Sequence, residues 1–294
     1  MTRAAAIPLR TVLAAMLMGA GTSLHGGTEG QRNKTGFNLF NPTPRDLLRE
    51  LSTDRPDKTE SPYTVDAGHF QIESDLVNFS YDAYNGDPSD TRTESWSFAN
   101  TNFKVGLLNN VDLQLVVSTF NHVRVEDRTA RIVNESSGFG DIITRLKINV
   151  WGNDGGTTAF GVMPFVKFPT AQDNLGNGAV EGGLILPLAI SLPADFGMGV
   201  MTQFDFNRDS SGSGYHPEFI NTITVSHSIV GDLGGYVEFF SSVSTEDDSE
   251  WIGTVDLGLT YGVTADIQLD AGVNIGVTRA ADDINPFVGI SWRF

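Results

Sequence analysis

The chain has 294 residues, with 36 Asp+Glu against 19 Lys+Arg and a formal net charge of −17. It has no Cys, which excludes disulfides, thiolate metal centres and cysteine nucleophiles. The acidic excess leaves no basic stripe for a phosphate backbone, which excludes nucleic acid as a partner.

Residues 1–25 read as a signal peptide. Arg3 and Arg10 form a basic start, Val12 to Ala20 an apolar run, and Gly21, Thr22 and Ser23 a small-residue stretch. The apolar run is too short to span a bilayer as a helix. No Cys follows it, so no lipoprotein anchor is expected.

Residues 26–67 form a polar arm. The sequence predicts a short helix over Pro44–Leu51, with Thr43 as its cap, Pro44 in its first turn and Leu47, Leu48 and Leu51 on one stripe. A charged, Pro-punctuated stretch follows from Ser52 to Pro62, in which Asp54, Asp57 and Glu60 interleave with Arg55 and Lys58. Such a stretch suits a plug entering a lumen, a lid closing a barrel base or a flexible tether.

From Gly68 to Phe294 the texture is one of alternating apolar and polar residues between turn signals. Twelve strands are expected, at 68–81, 94–108, 111–124, 139–150, 157–169, 179–191, 196–208, 216–230, 234–245, 251–262, 265–279 and 284–294. In the eleventh, Ile267, Leu269, Ala271, Val273, Ile275 and Val277 share one face, and Asp266, Gln268, Asp270, Gly272, Asn274 and Gly276 the other. In the fourth, Ile142, Leu146, Ile148 and Val150 oppose Arg145, Lys147 and Asn149. A period of two places these sets on opposite sides of a sheet.

Three features favour a membrane barrel over a soluble sandwich. The strands are longer than the usual five or six residues. Short turns at 109–110, 152–156, 193–195, 231–233 and 263–264 alternate with polar loops at 82–93, 125–138, 170–178, 209–215, 246–250 and 280–283. The polar face carries charges that a sandwich core would not tolerate but a barrel lumen would. The expected fold is therefore all-β: a transmembrane antiparallel β-barrel of twelve strands over 68–294, preceded by a periplasmic or plugging segment. Aromatics near strand ends, among them Phe70, Phe79, Trp251, Trp292 and Phe294, suit interfacial girdles. An even strand number returns both barrel ends to one side, expected to be the periplasm of a Gram-negative cell. Outer-membrane lipid and lipopolysaccharide are the expected surroundings.

The stretch from Glu50 to Glu73, with its pattern STDRPD-x-TESP-x-TV-x-x-G-x-x-Q-x-E, resembles an outer-membrane transporter family described as meta-pathway of phenol degradation proteins. The resemblance implies an outer-membrane barrel that moves small aromatic or hydrophobic molecules, and it carries no catalytic residues. The final strand, ending in Trp292-Arg293-Phe294, likewise resembles the signal read by barrel assembly machinery.

Facing assigns Glu73, Asp75, Asp112, Arg145, Lys147, Lys167, Gln203, Asp205, Asp256, Asp270, Asn274 and Arg293 to the lumen, with Gln71, Asn102, Lys104, Gln114, Glu181, Glu238 and Gln268 beside them. These groups would line a narrow polar channel or form a mutually paired polar core. Passive uptake of a small molecule is the first expectation, and a closed structural or partner-binding barrel the second. A membrane hydrolase is the weakest: His227 lies between Ser226 and Ser228, but adjacent strand residues face opposite ways, so the pair is no ready dyad. His69, His122 and His216 are scattered without metal-ligand spacing, so neither a metal nor a cofactor is expected. Glu246, Asp247, Asp248 and Glu250 read as a solvated acidic loop rather than a Ca²⁺ site.

Overall fold

A computed structural model describes residues 33–83 and 90–294. The expected signal peptide lies outside the described residues, as does most of the first long loop.

Fourteen strand segments form one antiparallel sheet: β1 (Phe70–Asp82), β2 (Thr91–Leu108), β3 (Val111–Val117), β4 (Phe120–Asp127), β5 (Ile132–Gly138), β6 (Ile142–Trp151), β7 (Thr158–Phe168), β8 (Glu181–Ser191), β9 (Gly197–Arg208), β10 (Tyr215–Val230), β11 (Leu233–Ser244), β12 (Ile252–Thr264), β13 (Ile267–Gly276) and β14 (Ile284–Arg293). The sheet closes on itself, because β1 pairs with both β2 and β14. Closure pairs both sides of every strand segment except β5, which pairs with β4 alone and meets Asp173 of the loop after β7 through its Ser137 N–H, and lipid could satisfy no such edge.

The fourteen segments make twelve barrel strands. β3 and β4 are two halves of one, pairing with the lower and upper parts of β2. β5 and β6 are likewise two halves, pairing with β4 and β3. The breaks fall at 118–119 and 139–141, where the loop after β7 packs on the wall: Gln172 donates its backbone N–H to the Phe139 carbonyl at 2.9 Å, and Asp141 Oδ1 accepts from the Thr170 and Ala171 N–H groups.

Two local expectations are corrected. Residues 125–138 are not a loop: 132–138 pair with 121–127 and extend the hairpin beyond the apolar band. Their polarity suits a ladder standing in water, with Arg124 within 3.5 Å of both Glu126 and Glu135. The helix over Pro44–Leu51 is also absent. Only a 3₁₀ turn, Arg45–Leu47, forms; Thr43 makes no cap, and Leu48 is already extended. Tertiary bonds win over local propensity here. The Arg49 N–H donates to Asp66 Oδ2 at 2.9 Å, and its guanidinium reaches Asp154, Asn109 and the Thr64 carbonyl.

Burial follows the period of two. Inward residues are buried, whereas Phe103, Leu113, Leu115, Val237, Leu257, Leu269 and Val288 are exposed on the outer face. This is the inverse of a soluble protein and the pattern of a wall in lipid. Aromatics cluster at two levels. Phe70, Trp292 and Phe294 stack at one end, and Phe79, Trp96, Phe98 and Phe120 at the other. Nine residue steps along β1 separate Phe70 from Phe79, about 30 Å of strand, or about 23 Å of membrane normal at a 40° tilt. That matches the apolar band of an outer-membrane barrel. Among the described residues no helix is long and apolar enough to cross a membrane.

Candidate functional site

The arm enters at the short-turn end. Thr43 donates its N–H to the Ala67 carbonyl at 2.9 Å, Arg45 reaches Asp266 at 3.4 Å, and Arg293 donates to the Arg49 carbonyl at 2.7 Å. Residues 49–66 then contact inward-facing groups of β1, β2, β3, β6, β9, β10, β11, β12, β13 and β14. A segment that touches so many staves of a closed wall lies within it.

The charged stretch supplies one side chain for each sector of the wall. Asp54 bonds Lys104 and, at 2.5 Å, Lys147, while its N–H donates to Glu73. Lys104 also bonds Glu73. Burial alone would raise the Asp54 carboxyl, but the two ammonium groups hold it far below the ordinary carboxylate range. Arg55 spans Asp75 at 2.5 Å and Asp270 at 2.7 Å. Lys58 lies 3.2 Å from Asp256, donates to Thr254 at 2.9 Å and sits 4.3 Å from the Phe240 ring centroid. Thr59 donates to Glu238 at 2.5 Å and shares a hydrogen bond with Thr222 at 2.7 Å. Glu60 accepts from Arg145 at 2.6 Å. Asp57 has no basic partner of this kind among the described residues, and burial pushes its carboxyl up to about 7, with Glu60 and Asp54 adding repulsion.

Of the residues that facing assigned to the lumen, Glu73, Asp75, Asp112, Arg145, Lys147, Asp256, Asp270 and Arg293 touch the arm. The other four lie elsewhere in the interior: Lys167 pairs with Glu181, Gln203 donates to Asp205 at 2.9 Å, and Asn274 donates to Asn285 at 2.8 Å.

Two cavities border the arm. One, of about 580 Å³, lies between Arg55, Pro56 and Asp57 and the wall residues Ser191, Tyr236 and Gln268. Another, of about 400 Å³, lies where the arm enters, between Arg45, Leu48 and Leu51 and the wall residues Asp266 and Arg293. A further cavity, of about 260 Å³, includes no arm residue and is lined by Asn78, Ser80, Ser95, Ser97, Asn121 and Asn285.

The chain matches the family described as "Putative MetA-pathway of phenol degradation" over residues 53–294. It belongs to this family. The structure is similar to that of an outer membrane channel from Pseudomonas putida F1, at TM-score 0.60 and 14% identity, covering 83% of this chain and 100% of that one. The NanC porin is a more distant likeness, at TM-score 0.46 and 12% identity, covering 76% of this chain and 98% of that one. No curated protein matches the chain. The match establishes the family and the similarity establishes the outer-membrane barrel fold.

The interior also contains groups that facing and polarity did not single out. Met163, Ile185 and Met201 are 0%, 1% and 2% exposed, with Phe165 and Ile220 packed against them. They form an apolar strip inside an otherwise charged lumen, and the Met201 sulfur lies 3.4 Å from the Glu60 nitrogen. Its signal in the sequence was the apolar residue on the polar face, as with Met201 between Gly199 and Gln203. Tyr236 was missed for the same reason. Its hydroxyl is buried, with no hydrogen-bond partner among the described residues. His227 is in a different setting, its ring stacked on Phe196 at 4.2 Å and its Nδ1 3.3 Å from the Asp195 carbonyl oxygen.

Proposed function

We propose that the protein is an outer-membrane channel for passive movement of small hydrophobic or aromatic molecules, with the arm as a plug between two vestibules. The apolar strip of Met163, Phe165, Ile185, Met201 and Ile220 carries this reading. An apolar strip beside the plug offers a surface for an apolar solute once the plug shifts. The acidic wall disfavours anions. The family's association with phenol degradation supports an aromatic solute.

In this reading the short-turn end, where both barrel ends and the arm lie, faces the periplasm, and the long loops face outwards into lipopolysaccharide. The last strand, with Val288, Trp292 and Phe294 on its outer face, presents the segment for the assembly machinery. No bond-making chemistry is assigned to the lumen, and selection rests on width, charge and the apolar strip.

Planar-bilayer conductance of the full chain and of a chain lacking residues 26–67 tests the reading. The full chain is expected to pass little current and the shortened one markedly more. Liposome uptake should favour neutral phenol over benzoate. Absence of both conductance and uptake in both forms would instead establish a closed structural barrel.

A further inference from the structure

The long-loop end carries a cluster that the arm and the apolar strip do not use. Asp209 follows β9, His216 is the second residue of β10, and Glu246 lies in the loop after β11. His216 Nδ1 is 3.0 Å from Asp209 Oδ1, and its Nε2 is 3.9 Å from Glu246 Oε2. The imidazole thus stands between two carboxylates brought from two loops. One ligand atom from each of the three residues lies within 4.8 Å of the others.

We propose that Asp209, His216 and Glu246 bind one divalent transition-metal ion of the zinc class at the outer mouth and so staple the β9–β10 loop to the β11–β12 loop. The donor set is one imidazole nitrogen and two carboxylate oxygens. That set suits zinc-like ions, whereas Ca²⁺ takes six or more oxygens and Mg²⁺ keeps its waters in an octahedron. Ligand atoms around a tetrahedral ion with bonds of about 2.1 Å stand about 3.4 Å apart, so a turn of the imidazole that brings one ring nitrogen to face both carboxylates closes the shell.

The loops are already tied in the required arrangement. The Glu246 carboxylate accepts the Ser210 N–H through Oε1 at 2.6 Å, which leaves Oε2 towards the imidazole. Thr245 bonds the Pro217 carbonyl through both its N–H and its hydroxyl. Asp209 is fixed by the turn in which its N–H donates to the Gly214 carbonyl at 3.0 Å. The side chains of His216, Asp209 and Glu246 are 12%, 27% and 28% exposed, so an ion can reach them and complete its shell with water. His216 shares the inward face of β10 with Thr222 and Thr224, and its cross-strand neighbour is Asn207. A bound ion therefore sits at the rim of the lumen, where it offsets local negative charge.

The test is calorimetric titration of the full chain, without a histidine tag and folded in detergent micelles, with Zn²⁺, Ca²⁺ and Mg²⁺ separately. One Zn²⁺ per chain is expected, with no comparable signal from Ca²⁺ or Mg²⁺. His216→Ala should weaken binding at least tenfold, and so should Glu246→Gln, which keeps the shape of the loop. His122→Ala and His227→Ala should leave the affinity unchanged. If His216→Ala fails to fold, Glu246→Gln decides alone. No Zn²⁺ binding by the parent chain, or full-affinity binding by the Glu246→Gln chain, would overturn the proposal.

Discussion

Asp54 is the residue on which most of the arm's electrostatics converge. It accepts from Lys104 and Lys147 through different oxygens, and also from the Ser61 N–H at 2.9 Å. An Asp54→Asn substitution keeps the shape and removes the charge. Lys104 retains Glu73, but Lys147, 1% exposed, loses the carboxylate it bonds. Breaking a buried pair from one side costs about 3–5 kcal/mol. The expected outcome is an arm cleaved by added protease while the barrel stays intact, visible as loss of the arm alone from the protected product. Asp57 acts in the opposite sense. Its carboxyl is raised from 3.8 to about 7, so seating the arm favours its protonated form. That contribution is most favourable below pH 4, falls as pH rises towards 7 and is flat above. Open probability in single-channel recordings should therefore rise between pH 5 and pH 8, and Asp57→Asn should remove the rise. An unchanged slope in Asp57→Asn would show that another group sets it.

Among the elements, the arm and β2 meet backbone to backbone. Gly106 forms a parallel bridge with Ala67, and a methyl group at Gly106 would collide with the carbonyls of Asp66 and Val65. Backbone on both sides leaves no rotamer to yield. Gly106→Ala should cost about 1–3 kcal/mol, as overpacking does, and read out as a lower thermal midpoint with cleavage near residue 66. Gly289 has a similar position against Arg55, but there the obstacle is a side chain. The strands were legible because one face meets lipid and the other the lumen, so polarity alternates cleanly, as in 267–276. The hairpin at 120–138 was not, because outside the bilayer both faces meet water and the alternation fades. The helix over 44–51 failed for another reason: Arg49 finds its partners at Asp66, Asn109 and Asp154, none of them local. The same limit applies to the lumen. Facing identified Asp270 and Asp75 as inward, but their shared partner Arg55 is a matter of three-dimensional placement.

At the scale of the whole molecule, the acidic excess has a structure. Lys and Arg of the arm and lower wall pair with several of the acids inside the barrel, Glu60, Asp75, Asp256 and Asp270 among them, while Asp209 and Glu246 stand at the other end. Closure through β1 and β14 leaves only β5, which pairs with β4 alone, with a side that meets no strand among the described residues. A closed barrel resists detergent, so the unheated protein should run faster on a denaturing gel than the boiled one, and equal migration would count against a stable closed wall. The reach of the arm also has a kinetic meaning. Neighbouring strands other than β1 and β14 pair across short stretches of chain, but Arg55 and Asp270 are 215 residues apart, and Lys58 and Thr254 are 196. Contacts of that separation form late. The arm precedes every strand in the chain, yet its partners are completed only when the last strands are in place, as is the β1–β14 closure. A wall zipped one residue out of register would turn its carboxylates towards lipid and leave Arg55 and Lys58 facing none. Only a correctly registered wall therefore offers the arm its carboxylate partners.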